Sequence, residues 1–189
     1  MDSFHAADQT ERAGRSGRNW QAAPLSDLIA PIKSTHHKFV RGEIERLGPP
    51  FDKVCSAHEK NHPELEDMRA AFGGLAQELA MHMMKEEMVL FPYIVRLEEA
   101  AVAKESVLPS PFGSVRNPVA MMMRGHDATG NALRGLRQAS NGYAAPADAC
   151  IGFQTQYQGL QEFEADLHQH IHLENNILFP RAVEMERSH

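Results

Sequence analysis

The chain contains one pattern twice, and this repeat constrains its fold more than any other feature. Residues 82–92 read HMMKEEMVLFP and residues 168–180 read HQHIHLENNILFP, so both contain His-x-x-x-Glu followed by Leu-Phe-Pro. Shifts of 88 or 89 residues superimpose three pairs: His82 on His170, Glu86 on Glu174, and His37 on His126. The sequence is therefore interpreted as two copies of a helical hairpin, each with one histidine on its first helix and His-x-x-x-Glu on its second.

Apolar residues recur with a helical period on both sides of the repeated motifs. One stripe alternates steps of three and four residues: Leu65, Met68, Phe72, Leu75, Leu79, His82, Glu86 and Val89. A second stripe has a similar spacing: Phe153, Tyr157, Leu160, Phe163, Leu167, His170, Glu174 and Ile177. This spacing is typical of helices in a bundle. Since no segment has a clear strand pattern, we expect an all-α antiparallel four-helix bundle with pseudo-twofold internal duplication.

Turn and cap residues predict where the helices begin and end. A first helix is expected to begin near Ser26 and Asp27, and to end at Leu47, before Gly48-Pro49-Pro50. The remaining predicted segments are a short helical segment at 51–59, a helix from Pro63, a connection at 103–118, a helix at 119–139 and a fourth helix after the turn at 141–146. The polar residues 1–24 are predicted to form a flexible tail and residues 25–189 to form the bundle.

Packing of the two halves would bring four histidines and two glutamates together inside the bundle. A buried carboxylate without a compensating charge costs several kcal/mol, so two of them in one core require a strong cation. A pair of metal ions meets this requirement, and imidazole with carboxylate suits iron, manganese or zinc. A single His-x-x-x-Glu is more often a solvated helix face, so the prediction depends on the repeat. The predicted ligands are His37, His82, Glu86, His126, His170 and Glu174.

Helical phase separates His170 from the two histidines beside it. His170 shares the apolar stripe with Glu174, four residues further along the same helix. His168 and His172 are each two residues away, about 200° around the helix, and are expected to face outward. The Leu-Phe-Pro triplets are interpreted as core packing with a helix kink or stop, and the methionine runs as core filler.

Phase does not separate His36 from His37, and the alignment of the two halves favours His37. His58 has no counterpart in the second half, but it lies on the apolar face of its predicted short segment. It is therefore predicted to be a fifth, asymmetric histidine ligand. Glu87 and Asp127 adjoin predicted ligands and point elsewhere, so each is expected at most to hydrogen-bond to a ligand.

Composition excludes several classes of protein. The formal net charge of -6 argues against nucleic acid or an anionic membrane as the main partner. No apolar run approaches the roughly 20 residues that a membrane span needs, and no signal peptide is evident. The two cysteines, Cys55 and Cys150, form no Cys-x-x-Cys motif, so a reducing cytoplasm is the expected location.

Three stretches, HMMKEEMVLFP, RGHD and HIHLENNILFPRA, resemble the hemerythrin-like domain of the RIC (repair of iron centres) family of iron-sulfur cluster repair proteins. The resemblance covers about residues 25–183 and includes the spacing across both halves. It implies a non-haem di-iron centre with two bridging glutamates and an oxo or hydroxo bridge. The implied ligands are the six residues named above, and His58 corresponds to a further family histidine near the site.

The resemblance also implies protection or repair of iron-sulfur clusters under nitrosative and oxidative stress. The expected partners are nitric oxide, dioxygen and damaged iron-sulfur proteins, and zinc or manganese could replace iron. Many family members have an N-terminal domain with adjacent cysteines; the residues before the bundle contain none here, so steps that need those thiols are not carried over. The alternative is a hemerythrin-type carrier or sensor that binds dioxygen or nitric oxide reversibly. A ferritin-like oxidase is disfavoured because that class uses Glu-x-x-His.

Overall fold

The computed structural model describes residues 19–106 and 110–188, and four long helices account for most of them. Helix α1 comprises Leu25–Pro31, Ile32–His37 and Lys38–His58; α2 comprises Glu64–Lys85, Glu86–Leu90 and Phe91–Ala103; α3 is Arg116–Ala139; and α4 comprises Ile151–Leu173, Glu174–Leu178 and Phe179–Arg187. The middle segments of α1, α2 and α4 are π-helical. Helix α1 packs on α2 and α4, and α2 packs on α3. The predicted all-α four-helix fold is confirmed.

Two apolar clusters fill the bundle, one on each side of its polar centre. In α1, Ile32 belongs to one cluster and Val40 to the other. In α4, the same change occurs between Leu167 and Ile177. The predicted ligands His37, His170 and Glu174 lie between these positions. The candidate site therefore lies between two apolar layers of the core.

Helix α1 continues through Gly48-Pro49-Pro50, so the prediction that it ends at Leu47 is wrong. The prolines remove two backbone donors, but Phe51 and Val54 beyond them are buried in the core, and this packing holds the helical course. Gln156 of α4 donates a hydrogen bond to the Leu47 carbonyl at 3.1 Å, which satisfies an acceptor next to the prolines. One consequence is that residues 51–58 continue along α1 instead of forming a separate segment.

The N-terminus of α1 is capped by a residue from another helix and not by Ser26 or Asp27 as predicted. The residue at the N-cap position is Pro24, whose side chain forms no capping hydrogen bond. Instead the Glu98 carboxylate of α2 accepts hydrogen bonds from the backbone N–H groups of Leu25 and, at 3.0 Å, Ser26. The capping carboxylate was missed because it lies more than 70 residues away in the chain.

The π-helical segments change the helical register at the Leu-Phe-Pro triplets. Each π turn contains an additional residue, which rotates the following side chains relative to an α-helix. In α2, Leu90 is buried and Val89 is 45% exposed, so the prediction that Val89 faces the core is wrong. Pro92 and Pro180 lie two residues after the ends of the π segments, and both helices continue past them. The leucine and phenylalanine of each triplet therefore pack in the core, as predicted, whereas the prolines are exposed and do not stop the helices.

The predicted tail lies only partly within the described residues. Residues 1–18 are outside them, whereas residues 19–24 include a turn that precedes α1. Trp20 packs against the core, and its carbonyl accepts a hydrogen bond of 2.7 Å from Arg181. Across both described ranges, no helix combines the length and apolar character that a bilayer span requires.

Candidate metal centre

The six predicted ligands with counterparts in the repeat come together at the centre of the bundle. They form two groups of four that share both glutamates: His37, His170, Glu86 and Glu174 in one group, and His82, His126, Glu86 and Glu174 in the other. Within each group, one potential ligand atom per residue lies within 4.8 Å of all the others. We call the first group the inner position and the second group the groove position.

Contacts at the inner position are short and involve the Nε2 atoms of both histidines. His37 Nε2 lies 3.2 Å from His170 Nε2 and 3.4 Å from Glu86 Oε2. His170 Nε2 lies 3.1 Å from Glu174 Oε1. Both histidine side chains are at most 2% exposed, so these atoms are shielded from bulk water.

The groove position is the pseudo-twofold counterpart of the inner position. His82 Nε2 lies 3.1 Å from Glu86 Oε1, and His126 Nε2 lies 3.2 Å from Glu174 Oε2. Each carboxylate therefore directs one oxygen to each position. Such an arrangement is suited to bridging two cations.

The buried polar atoms of the cluster test whether the site fits metal ions. No hydrogen-bond partner among the described residues satisfies Nε2 of His82 or His126, or either carboxylate oxygen of Glu86 and Glu174. These atoms converge on common points at 3.1–3.4 Å without hydrogen-bond geometry. Native proteins rarely leave buried polar groups without a partner. Four imidazoles and two carboxylates are a suitable ligand set for iron, manganese or zinc, so the residues fit a pair of such ions.

Hydrogen bonds to two of the histidines define which ring nitrogen faces the cluster. His37 Nδ1–H donates to Glu87 Oε1 at 2.7 Å, and His126 Nδ1–H donates to Asn175 Oδ1 at 2.8 Å. In each ring the lone pair is then on Nε2, the atom that faces the carboxylates. The expectation that Glu87 could hydrogen-bond to a ligand is met in the geometry, whereas Asp127 is exposed.

Asn175 was missed in the sequence, although a signal for it was present. The shift of 88 residues that aligns Glu86 with Glu174 also aligns Glu87 with Asn175. The two halves thus place their hydrogen-bonding residue at the same point, directly after the shared carboxylate.

Electrostatic coupling between the histidines and Glu174 stabilises charge at the centre of the bundle. Burial raises the pKa of Glu174, but the neighbouring His170 and His126 lower it by more, so its pKa is well below the ordinary value. Burial lowers the pKa of His170 and His126, but their contacts with Glu174 raise it by more, so both values are above the ordinary one. Since a metal ligand must be a neutral imidazole, a cation that binds here releases protons.

His36 and Asp166 form an additional buried pair that sequence analysis did not identify. His36 Nδ1 lies 3.0 Å from Asp166 Oδ1, and the His36 ring stacks on His170 with centroids 5.7 Å apart. Both His36 and His37 belong to the π segment of α1, where the wider turn allows adjacent residues to face inward. This explains why helical phase did not separate the two histidines.

His58 is not brought to this site, which corrects the prediction of a fifth histidine ligand. Because α1 continues through the prolines, His58 lies 21 residues beyond His37 on the same helix, or about 30 Å along its axis. Its Nε2 lies 3.2 Å from Cys150 Sγ, and its ring packs on Phe153. His168 and His172 are exposed, as helical phase predicted.

Two grooves approach the cluster from different sides. One, of about 400 Å³, is lined by His82 itself, together with Gly125, Glu78, Lys85, Met81 and Met121. The other, of about 680 Å³, includes Glu87 but no ligand in its lining. The first groove therefore reaches a ligand of the groove position directly.

Comparison with known proteins gives a consistent family assignment. The model of the hemerythrin HHE cation binding domain matches residues 32–182. Iron-sulfur cluster repair protein YtfE of Musicola paradisiaca (strain Ech703) is 34% identical over 171 residues, which are 90% of this chain and 71% of that protein. Proteins of the same name from Yersinia pseudotuberculosis serotype IB (strain PB1/+) and Yersinia pestis (strain Pestoides F) are 35% identical over 187 residues, 98% of this chain and 77% of theirs.

Proposed function

Since the chain belongs to the hemerythrin HHE cation-binding domain family, we propose that it is a non-haem di-iron protein that protects or repairs iron-sulfur clusters under nitrosative or oxidative stress. Its proposed small ligands are nitric oxide and dioxygen, and its proposed protein partners are damaged iron-sulfur proteins. The similarity to iron-sulfur cluster repair proteins across most of the chain supports the repair role.

One observation supports the two-ion centre above all others. Glu86 and Glu174 are both 0% exposed, and each directs its two oxygens to different pairs of histidines. A purely structural core would place apolar residues at these positions, because the desolvation of two carboxylates costs several kcal/mol. Two cations between the histidine pairs would satisfy all four oxygens.

The protein side chains hold, orient and enclose the ions. Each position provides two imidazole nitrogens and two carboxylate oxygens, which leaves room for a small ligand on an ion that prefers about six. Bound iron would supply these open coordination positions and a reversible change of oxidation state. Phe91 stacks on His37, and Phe179 stacks on His126, with ring centroids 5.8 and 5.9 Å apart. The aromatic rings restrict the rotation of both histidines and exclude water from one side of the site.

Repair additionally requires that iron can leave. Four of the six protein ligands are neutral when bound, so the site carries less negative charge than a carboxylate-rich cage. The groove beside His82 gives one ligand a partly open side. Both features are compatible with transfer of iron to a damaged cluster.

The test uses the intact chain loaded anaerobically with ferrous iron. We expect elemental analysis to give two irons per chain, and we expect the loaded protein to restore activity to an iron-sulfur enzyme damaged by nitric oxide. Glu86→Ala should lose both the iron pair and the rescue. Reversible binding of nitric oxide or dioxygen, with iron retained and no rescue, would instead establish a hemerythrin-type carrier or sensor.

A further inference from the structure

The two metal positions are related by the pseudo-twofold axis, but their surroundings differ. At the inner position, Glu87 accepts a hydrogen bond from His37 Nδ1 and a second one, at 3.0 Å, from Arg41. At the groove position, Asn175 accepts the corresponding hydrogen bond from His126. A carboxylate behind a histidine ligand makes the ligand more basic and fixes its ring, and the loss of such a partner typically weakens metal binding about 10–100-fold. The neutral amide of Asn175 gives less of this support.

The two positions also differ in enclosure. The side chains of His37 and His170 are 0% and 2% exposed, and the ring of His36 covers His170. The side chain of His82 is 11% exposed and lines the groove of about 400 Å³. On the inner side, the groove of about 680 Å³ is lined by Glu87, which follows the ligand Glu86 in sequence but is not itself a ligand. Of these two grooves, the one at the groove position is lined by a ligand and the other is not.

On the side that faces α3, the His82 ring lies close to Gly125 and against the His126 ring, with the two ring centroids 4.6 Å apart. A Cβ atom on Gly125 would lie 2.8 Å from His82 Nδ1, so the ring occupies space that only glycine leaves open. Among the described residues, no carboxylate hydrogen-bonds to His82 Nδ1 in the way that Glu87 does to His37 Nδ1. The His82 ring is consequently positioned by its contacts with Glu86 and His126 and, when the site is loaded, would be held by the ion as well.

We propose that the ion between His82 and His126 is the exchangeable one, whereas the ion between His37 and His170 is retained. This inference rests on the two-ion centre of the proposed function and makes that centre asymmetric: one ion is available for transfer, and the other preserves the arrangement of the shared carboxylates. The asymmetry originates in residues 87 and 175, which occupy equivalent positions in the two halves.

The experiment measures the release of ferrous iron to a coloured chelator under anaerobic conditions. We expect two phases of equal amplitude in the wild-type protein, with rates that differ at least about tenfold. Asn175→Asp should slow the fast phase about tenfold and leave the slow phase unchanged. Glu87→Gln should accelerate the slow phase by a similar factor and leave the fast phase unchanged.

A matched control and a reciprocal exchange make the result decisive. Asp127→Asn changes an exposed carboxylate next to a ligand and should alter neither phase. The double variant Glu87→Asn with Asn175→Glu should reduce or reverse the difference between the rates. A single phase for both irons in the wild-type protein, or an effect of Asn175→Asp on the slow phase alone, would overturn the inference. Fewer than two bound irons would instead contradict the proposed di-iron centre.

Discussion

Among individual residues, Glu86 and Glu174 differ from the histidines because each contacts both metal positions. Their four oxygens lie 3.1–3.4 Å from four different imidazoles. Truncation of either carboxylate would therefore remove a ligand from both positions. A histidine ligand belongs to one position only.

This difference predicts the outcome of substitutions along α4. Glu174→Ala should reduce the iron content from two ions per chain to less than one, because both positions lose an anionic ligand. His168→Ala and His172→Ala should retain both ions, because these side chains are exposed. Elemental analysis of the three variants after loading under identical conditions is the measurement. Equal iron loss in His168→Ala and Glu174→Ala would contradict the helical register described above.

Substitution of Gly125 by alanine is a residue-scale test, because it should stabilise the apo protein but weaken its binding of metal. Alanine in a helix is more stable than glycine by about 1 kcal/mol, and in the metal-free protein the His82 ring can move away from the new methyl group. In the loaded protein the ion holds the ring, and a Cβ 2.8 Å from Nδ1 forces it out of place. Gly125→Ala should thus raise the apo melting temperature by about 2–4 °C but weaken binding at the groove position.

Gly135 is the control for this substitution. It lies in the same helix, and a Cβ added there would meet nothing within 4 Å. Gly135→Ala should stabilise both the apo and the loaded protein and leave metal affinity unchanged. If both variants bind iron as tightly as the wild type in a titration, the contact between Gly125 and His82 does not position the ligand.

At the scale of helices, the regular α-helical parts were predictable from the sequence and the irregular parts were not. All residues of the predicted stripe in α4 are buried, from Phe153 to Ile177. In α2 the stripe is correct until the π segment, after which Leu90 is buried in place of Val89. A π turn leaves no clear signal in hydrophobic spacing, because it shifts the register by one residue only once.

The ligand set shows the same division. Repetition and phase identified His37, His82, His126 and His170 with both glutamates, and the structure brings all six together. The error at His58 follows from treating Pro49-Pro50 as a helix stop, although core packing beyond the prolines outweighs their local preference. Asp166 was missed because its role depends on a contact between helices, whereas the repeat carried a signal for Asn175, which aligns with Glu87.

The helix caps provide a prediction at this scale, because they too are duplicated. Glu98 caps α1. Glu186, 88 residues later, accepts hydrogen bonds from Val115 N–H and the Ser114 hydroxyl at the start of α3, and from the Tyr93 hydroxyl of α2. Charged groups at helix N-termini contribute about 1 kcal/mol each. Glu98→Gln and Glu186→Gln should each lower the melting temperature of the apo protein by about 2–4 °C.

The contribution of these caps should also depend on pH. Burial raises the pKa of both carboxyls, but the hydrogen bonds to Glu98 and Glu186 lower it by more, to below the ordinary value of 4.5. A depressed pKa means that the contribution is complete above about pH 4.5 and is lost as the pH falls through the folded-state value. The difference in unfolding free energy between wild type and the double glutamine variant should therefore shrink between pH 7 and pH 3.

For the whole molecule, metal occupancy and stability are linked through the bundle centre. All four helices contribute residues to the proposed site, so an ion would bind the folded chain and not the unfolded one. Metal at about 1,000 times its dissociation constant adds about 4 kcal/mol of stability. For a chain of this size, removal should lower the melting temperature by roughly 8–16 °C. Calorimetry before and after chelation measures this shift; in Glu174→Ala the melting temperature should not respond to chelation.

Each metal position takes one histidine and one glutamate from the first hairpin and one of each from the second. Neither hairpin alone contains a complete site. In a symmetric dimer of identical hairpins, the twofold axis that exchanges the subunits would also exchange the two metal positions. Both positions would then be surrounded by the same residues. Joining the hairpins in one polypeptide removes that identity, because each copy then accumulates substitutions separately. Glu87 and Asn175 are such a divergent pair, and a fused chain can thereby divide retention and release between two positions that a dimer would have to keep equal.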